Sequence, residues 1–393
     1  MRILAKILLA LAVLAGGCSE FEGPIPPGDA LYFPVSVLAH PNGEVLYIVN
    51  SNFDAQYRTD VGGTVVVVDT ETFEILSETT VQIGSFGGGL ALNDAGGTSP
   101  DKLFVAVRGD DSVVVLSVSP DGRTIDCDGS GDALACRVRG VPSDPFSVVS
   151  LPHPFDSDGN ELEDVELVAT ASIDGGVAYI TIDGGRYEDA TMESRGVLSG
   201  ASVARYFAPS DQLWIGARFS RRLQGLRHIF EPNTRGEVVE FLVETQTLVP
   251  TTFDSAEVRD MVFSNDMQRA YVTSNRPSAV LVLDMSLDDN GEPRAAAVDR
   301  FDLDGAPAEL AVADEGGREV LYIAQSNDEA VAVVDAETGI LLDSISLGGL
   351  AFALEHDPIG NLVYVAIFDE HEVVAIDTDP TSATFRQLVG RIR

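Results

Sequence analysis

Leu321 to Asp335 reads LYIAQSNDEAVAVVD: an apolar run with an aromatic second residue, a polar break, and a Val-rich run ending in Asp. The same arrangement recurs as LFVAVRGDDSVVVLS from Leu103, AYVTSNRPSAVLVLD from Ala270 and VYVAIFDEHEVVAID from Val363. From Phe104 to Ser117, Tyr271 to Asp284, Tyr322 to Asp335 and Tyr364 to Asp377 the offset is 13 residues each time. A fixed offset between two columns marks an internal repeat. Val, Ile, Tyr and Phe fill runs of five to seven residues bounded by Gly, Asn, Asp and Pro, which is strand and turn chemistry. A run such as Val65 to Asp69 (VVVVD) is apolar until its last residue and suits a strand covered on both faces.

Working outward, each pair of runs follows another apolar run and a turn, as in Pro34 to Leu38 (PVSVL) and the HPNG from His40. The aromatic column then reads Tyr47, Phe104, Val168, Trp214, Tyr271, Tyr322 and Tyr364, about 53 residues apart, which suits one four-stranded blade per repeat. The expectation is an all-β, seven-bladed β-propeller of four-stranded antiparallel blades over residues 31–393. Closing such blades into a ring removes their exposed edges. The third copy carries an acidic insertion, DSDGNELED from Asp156, and the fourth an arginine-bearing insertion from Arg218 to Arg235. Tyr271-Val272-Thr273-Ser274-Asn275 resembles the signature of the YVTN family of β-propeller repeats, and the resemblance covers most of the chain after the N-terminal segment. It implies the propeller fold. Related propellers include surface-layer proteins, periplasmic binding proteins, and lactonase and quinoprotein-like enzymes.

The N-terminus, MRILAKILLALAVLAGGCSE, sets Arg2 and Lys6 around the start of a short apolar run that ends in small residues and a cysteine. That is an export signal, too short to span a bilayer that needs roughly 20 residues. Leu14-Ala15-Gly16-Gly17-Cys18 resembles the bacterial lipobox, which implies a signal peptide over 1–17 and lipidation of Cys18. Residues 18–30, rich in Pro and Gly, read as a tether. Ser19, where an Asp would signal inner-membrane retention, favours the outer membrane of a Gram-negative envelope. Two cysteines remain, Cys127 and Cys136, and an even remainder in an exported chain reads as a disulfide. A formal charge of -37, with Lys6 and Lys102 the only lysines, argues against nucleic acid as a partner, because phosphate contacts are made by Lys and Arg.

A propeller exposes side chains along its central channel and on the loops of its two faces. The aligned start of the innermost strands reads Ser36, Gly89, Ser147, Ala204, Asp260, Glu309 and Ala351. Asp260 and Glu309 are its ionisable members and are candidates for a ligand at the channel mouth. Arg218, Arg221, Arg222 and Arg227 form a basic group in an acidic chain and are candidates for a carboxylate or phosphate. Asp156, Asp158, Asn160 and Asp164 alternate oxygen donors as Ca²⁺ binding requires, although the glycine falls at the fourth rather than the sixth position. The loops DCDGSGD from Asp126 and DDNGE from Asp288 share that composition, which is also turn chemistry. Ca²⁺ is the one cofactor these residues suggest. His40, His153 and His356 each stand next to or near a proline in a corresponding turn, so repeat position accounts for them. No G-x-S-x-G elbow or H-E-x-x-H is present. The expected protein is a monomeric, membrane-tethered propeller that binds an envelope protein, glycan or small ligand. An extracytoplasmic enzyme of lactonase or quinoprotein-like type is the alternative.

Overall fold

The computed structural model describes residues 23–93, 99–127, 135–153, 162, 165–184, 187, 190–220, 222–232, 238–248 and 257–393. They form seven antiparallel sheets, each from one contiguous stretch of chain: blade 1 (34–83), blade 2 (87–139), blade 3 (145–196), blade 4 (201–248), blade 5 (258–302), blade 6 (307–346) and blade 7 (351–392). Every blade is a meander in which sequential strands pair, apart from the last strand of blade 2, so each inner strand is followed by a second strand running back beside it. Inner strands touch those of both neighbouring blades around the full ring, including blade 7 against blade 1. The chain is a seven-bladed β-propeller. None of the helices among the described residues is long and apolar enough to cross a membrane.

The ring closes without exchanging a strand. Leu46, Ile48, Val66 and Val68 of blade 1 pack with Tyr364, Ala366, Val373 and Ala375 of blade 7 in one buried cluster. The Phe33 N–H donates to His371 Nδ1 across the seam at 3.0 Å. Apolar burial on both sheet faces is therefore what holds first and last blades together.

Six members of the aromatic column, Tyr47, Phe104, Trp214, Tyr271, Tyr322 and Tyr364, are essentially inaccessible to solvent. A buried ring of about 150–250 Å² contributes roughly 4–6 kcal/mol at 25 cal/mol per Å². Two also join blades: Tyr47 Oη donates to the Gly122 carbonyl of blade 2 at 2.8 Å, and Tyr271 Oη to Glu319 of blade 6 at 2.8 Å. Blade 3 differs from the expected column. Strand register places Ala169, not Val168, at the aromatic position, opposite Val149 and Tyr179. Tyr179 on the third strand supplies the ring that the second strand lacks, and it is 3% exposed.

Three local features depart from, or sharpen, the sequence expectations. In blade 4 the stretch read as an insertion is a lengthened hairpin, Leu223–Pro232 paired with Val238–Leu248. In blade 2 the outer strand is divided into Ile125–Asp126 and Arg137–Arg139, both on Ser112–Val118, and a Cys127–Cys136 disulfide with Cα atoms 5.6 Å apart joins the pieces. A crosslink over so short a loop stabilises by about 2.5–3 kcal/mol in the chain-entropy model. The Pro- and Gly-rich stretch read as a tether lies along blade 1 from Gly23 onward. Arg58 N donates to the Pro24 carbonyl at 3.4 Å, Thr80 Oγ1 to the Gly28 carbonyl at 2.6 Å, and a Cβ on Gly23 would meet Tyr57 backbone at 2.8 Å. Glycine is required there because two backbones approach closely.

Candidate functional site

Each inner strand starts with the same irregularity. Pairing with the second strand skips a residue between Pro34 and Ser36, Pro145 and Ser147, Ala201 and Val203, Val258 and Asp260, and Ala351 and Ala353. The skipped residues are Val35, Phe146, Ser202, Arg259 and Phe352. Blades 2 and 6 skip two each, Gly88 with Gly89 and Ala308 with Glu309. A bulge releases its residue from the alternation of the strand and re-aims the side chain. Here Val35, Gly88, Phe146, Ser202, Arg259 and Phe352 all line one cavity of about 660 Å³ in the central channel. They sit at the end where inner strands begin and second strands finish, termed here the upper mouth.

The bulge also corrects the expected inner column. By register the residues equivalent to Asp260 are Val203 in blade 4 and Ala353 in blade 7, not Ala204 and Ala351. Asp260 and Glu309 do line the cavity, and two residues missed in the sequence, Arg205 and Glu355, stand one step further down the strands. Arg205 Nη2 donates to Asp260 Oδ1 at 2.6 Å, while its Nε and Nη1 donate to the carbonyls of Met261 and Ala204. Each acid accepts a backbone N–H from the inner strand of the next blade: Asp260 from Leu310 at 3.2 Å, Glu309 from Leu354 at 3.1 Å, and Glu355 from Ala39. Ser147 Oγ does the same for Ala204 N at 3.2 Å. The acids thus act as clasps between blades.

Three carboxyls share the single Arg205 guanidinium deep in the ring, though Glu309 and Glu355 are half-buried against the lumen. Burial, with the Asp260 charge beside it, pushes the Glu309 carboxyl up to about 8. Burial raises Glu355 to about 8 against the opposing pull of Arg205, and raises Asp260 as well. His356 faces the lumen rather than occupying the turn, since Asp357 takes the position equivalent to His40. Burial lowers its pKa.

The upper mouth is basic. The Arg108 and Arg218 guanidiniums lie over the Phe146 ring at 4.9 and 4.1 Å from its centroid. Arg108 is neutralised by Asp144, at 2.5 and 3.3 Å. Arg259 has a neutral partner: the Asn275 amide, oriented by its hydrogen bonds, accepts from Nε at 2.7 Å and Nη2 at 3.0 Å. Burial, with the like charges of Arg259 and Arg108, lowers Arg218 to about 10. Its Nε is buried without a hydrogen-bond acceptor, as is the hydroxyl of Ser202. An unmade buried bond costs about 1–3 kcal/mol, more for a charged group. Aromatic rings continue outward from Phe352 through Phe368, stacked at 5.5 Å, to Phe33 and Phe53.

The other sequence candidates are dispersed. Arg227 pairs with Glu292 at 3.0 Å and donates to the Ser210 carbonyl at the opposite face, so it does not join Arg218. Arg222 is exposed, and Arg221 lies outside the described residues. Cys18 and the calcium candidates Asp156, Asp158, Asn160 and Asp164 also lie outside them. Asp288 Oδ1 accepts the N–H groups of Asn290 and Glu292 at 2.8 and 3.0 Å, which makes DDNGE a turn. Among the described residues no three His, Cys, Asp or Glu side chains are grouped to hold a metal ion.

No family model and no curated protein matches the sequence. Among solved structures, Kuenenia stuttgartiensis hydrazine synthase is similar with a TM-score of 0.59 at 17% identity, over 90% of this chain and 97% of that one. The β-propeller domain of Myceliophteria thermophila Cps50 (Swd1) gives 0.59 at 13%, over 87% and 96%. The dihydro-heme d1 dehydrogenase NirN in complex with DHE gives 0.52 at 16%, over 97% of this chain and 66% of that one. At such identities the likeness carries architecture and no chemistry, and what it establishes is that this chain has the β-propeller fold.

Proposed function

We propose that this protein is a lipid-anchored, extracytoplasmic binding propeller of YVTN-type repeats that takes a small ligand into the upper mouth of its channel. The reading is carried by the 660 Å³ cavity, lined at its upper end by Ser202 with an unpartnered hydroxyl and by Phe146, over whose ring Arg218 lies with an unpartnered Nε. Small-molecule sites are clefts of about 300–1,000 Å³ with apolar walls and a few polar groups. The export signal and lipobox-like Cys18 support the envelope location, on the outer membrane where Ser19 follows the acylated cysteine. Non-catalytic binding is favoured because Asp260, Glu309 and Glu355 are all engaged as clasps between blades.

A second reading, an extracytoplasmic enzyme, draws on Glu309 and Glu355, whose pKa values near 8 suit general acid–base work. Thermal melts with fractionated small-molecule extracts of the host envelope separate the two. Binding predicts a fraction that raises the Tm of the wild type, leaves Val35→Trp unmoved because the mouth is filled, and is recovered chemically unchanged. Turnover of that fraction, lost in Glu355→Gln, would favour the enzyme. No stabilising fraction at all counts against ligand binding.

A further inference from the structure

We infer that the upper mouth is a site for an amphipathic carboxylate, an organic acid whose anionic end is taken by Arg218 and Arg259 and whose apolar body lies along Phe146 and Phe352. The inference rests on the ligand-binding reading above and adds the chemical class of the ligand.

Charge selects the anionic end. Arg108 is already matched by Asp144, whereas Arg218 hydrogen-bonds no carboxylate and feels Glu309 and Asp144 only through space, and Arg259 is hydrogen-bonded by the neutral Asn275 amide with Glu257 acting on it through space. Two guanidiniums in an otherwise strongly acidic chain are thus left to a ligand, and a guanidinium meets a carboxylate through paired N–H donors. The Arg218 Nε and the Ser202 hydroxyl, the latter 3% exposed, are buried donors that lack an acceptor. A carboxylate supplies acceptors only, which is what both require.

The walls select the rest of the molecule. Phe146 and Phe352 line the same cavity as Arg259, and the ring stack runs from Phe352 through Phe368 to Phe53, which is 57% exposed. A compact, strongly hydrated anion such as inorganic phosphate gains nothing from that track. A cation is disfavoured by the arginines, and the acids lower in the channel are held partly protonated.

Calorimetric titration of the mature protein with 4-phenylbutyrate, octanoate, 4-phenylbutanol, 4-phenylbutylamine and inorganic phosphate tests the assignment. The expected result is saturable binding of the two carboxylates, with the alcohol, the amine and phosphate at least about tenfold weaker. Arg218→Gln and Arg259→Gln, each shown by thermal melt to be folded, should each weaken the carboxylates by about tenfold or more. An alcohol or phosphate that binds as tightly as the acid overturns the inference. So does carboxylate binding within twofold of wild type in Arg259→Gln, or no saturable binding of either carboxylate. A Val35→Trp-sensitive ligand that proves neutral would leave the binding reading standing while removing this one.

Discussion

Replacing Arg205 by methionine is expected to destabilise the propeller by about 3 kcal/mol, the low end for breaking a buried ion pair because the guanidinium is 35% exposed to the channel. The substitution removes the cation that Asp260, Glu309 and Glu355 share and orphans the carbonyls of Met261 and Ala204. Chemical denaturation should show the loss as a lowered midpoint at unchanged slope. Adding Asp260→Asn should recover part of it, since the amide keeps an acceptor for Leu310 N without a charge to bury. The double-mutant cycle should give a coupling of at least about 1 kcal/mol. An additive cycle would mean that Arg205 and Asp260 are not an energetic unit.

The second large effect is on pH. Glu309 and Glu355 titrate near 8 in the folded chain against an ordinary 4.5. Over that interval the folded state therefore binds more protons than the unfolded state, and stability falls as pH rises. The stability they contribute is complete below about 4.5 and lost as pH passes through 8, with a slope of up to about 1.4 kcal/mol per unit for each group. Ordinary carboxylates are fully ionised above pH 6 and add no slope there. The depressed pKa of His356 has the opposite sign, giving stability that is lost as pH falls. Wild-type Tm should thus decline from pH 6 to 9, and Glu309→Gln should remove about half of the decline. A pH-independent Tm in the wild type would contradict the buried-carboxyl network.

The aromatic column was legible because it combines two constraints that leave a mark in sequence: complete burial of a large ring and a constant turn length beside it. Tyr47, Phe104, Tyr271, Tyr322 and Tyr364 fall at the expected positions, and Trp214 holds the same place in blade 4. Val168 was misassigned because blade 3 moves its ring to Tyr179, and a small Ala169 leaves no trace of the exchange. The site was harder to read. A bulge changes pairing without changing composition, so columns aligned on apolar residues slipped in blades 4 and 7, and Arg205, Arg259 and Glu355 were passed over. One signal was present: Pro34, Pro145 and Pro307 open their strands, where a residue lacking an N–H is tolerated. Counting from those prolines sets Val35 and Phe146 on the channel.

Arg218 shows the limit of clustering by sequence proximity. In sequence it falls in one basic group with Arg221, Arg222 and Arg227, yet a strand carries successive residues about 3.3 Å apart along its axis, so Arg227 is borne to the opposite face. The residues that act with Arg218 are Arg108, two blades earlier, and Arg259, on the next blade. Only the ring brings these together.

A small ligand held in the upper mouth between Arg218, Arg259 and the Phe146 and Phe352 rings should travel with the protein through purification. Native mass spectrometry of the protein extracted from its own envelope is the decisive test of that occupancy. The expected spectrum shows an acylated chain carrying one additional small organic acid, released on denaturation and missing from Val35→Trp and Arg259→Gln. A wild-type mass equal to that of the processed chain alone, or an adduct retained in both variants, would contradict it.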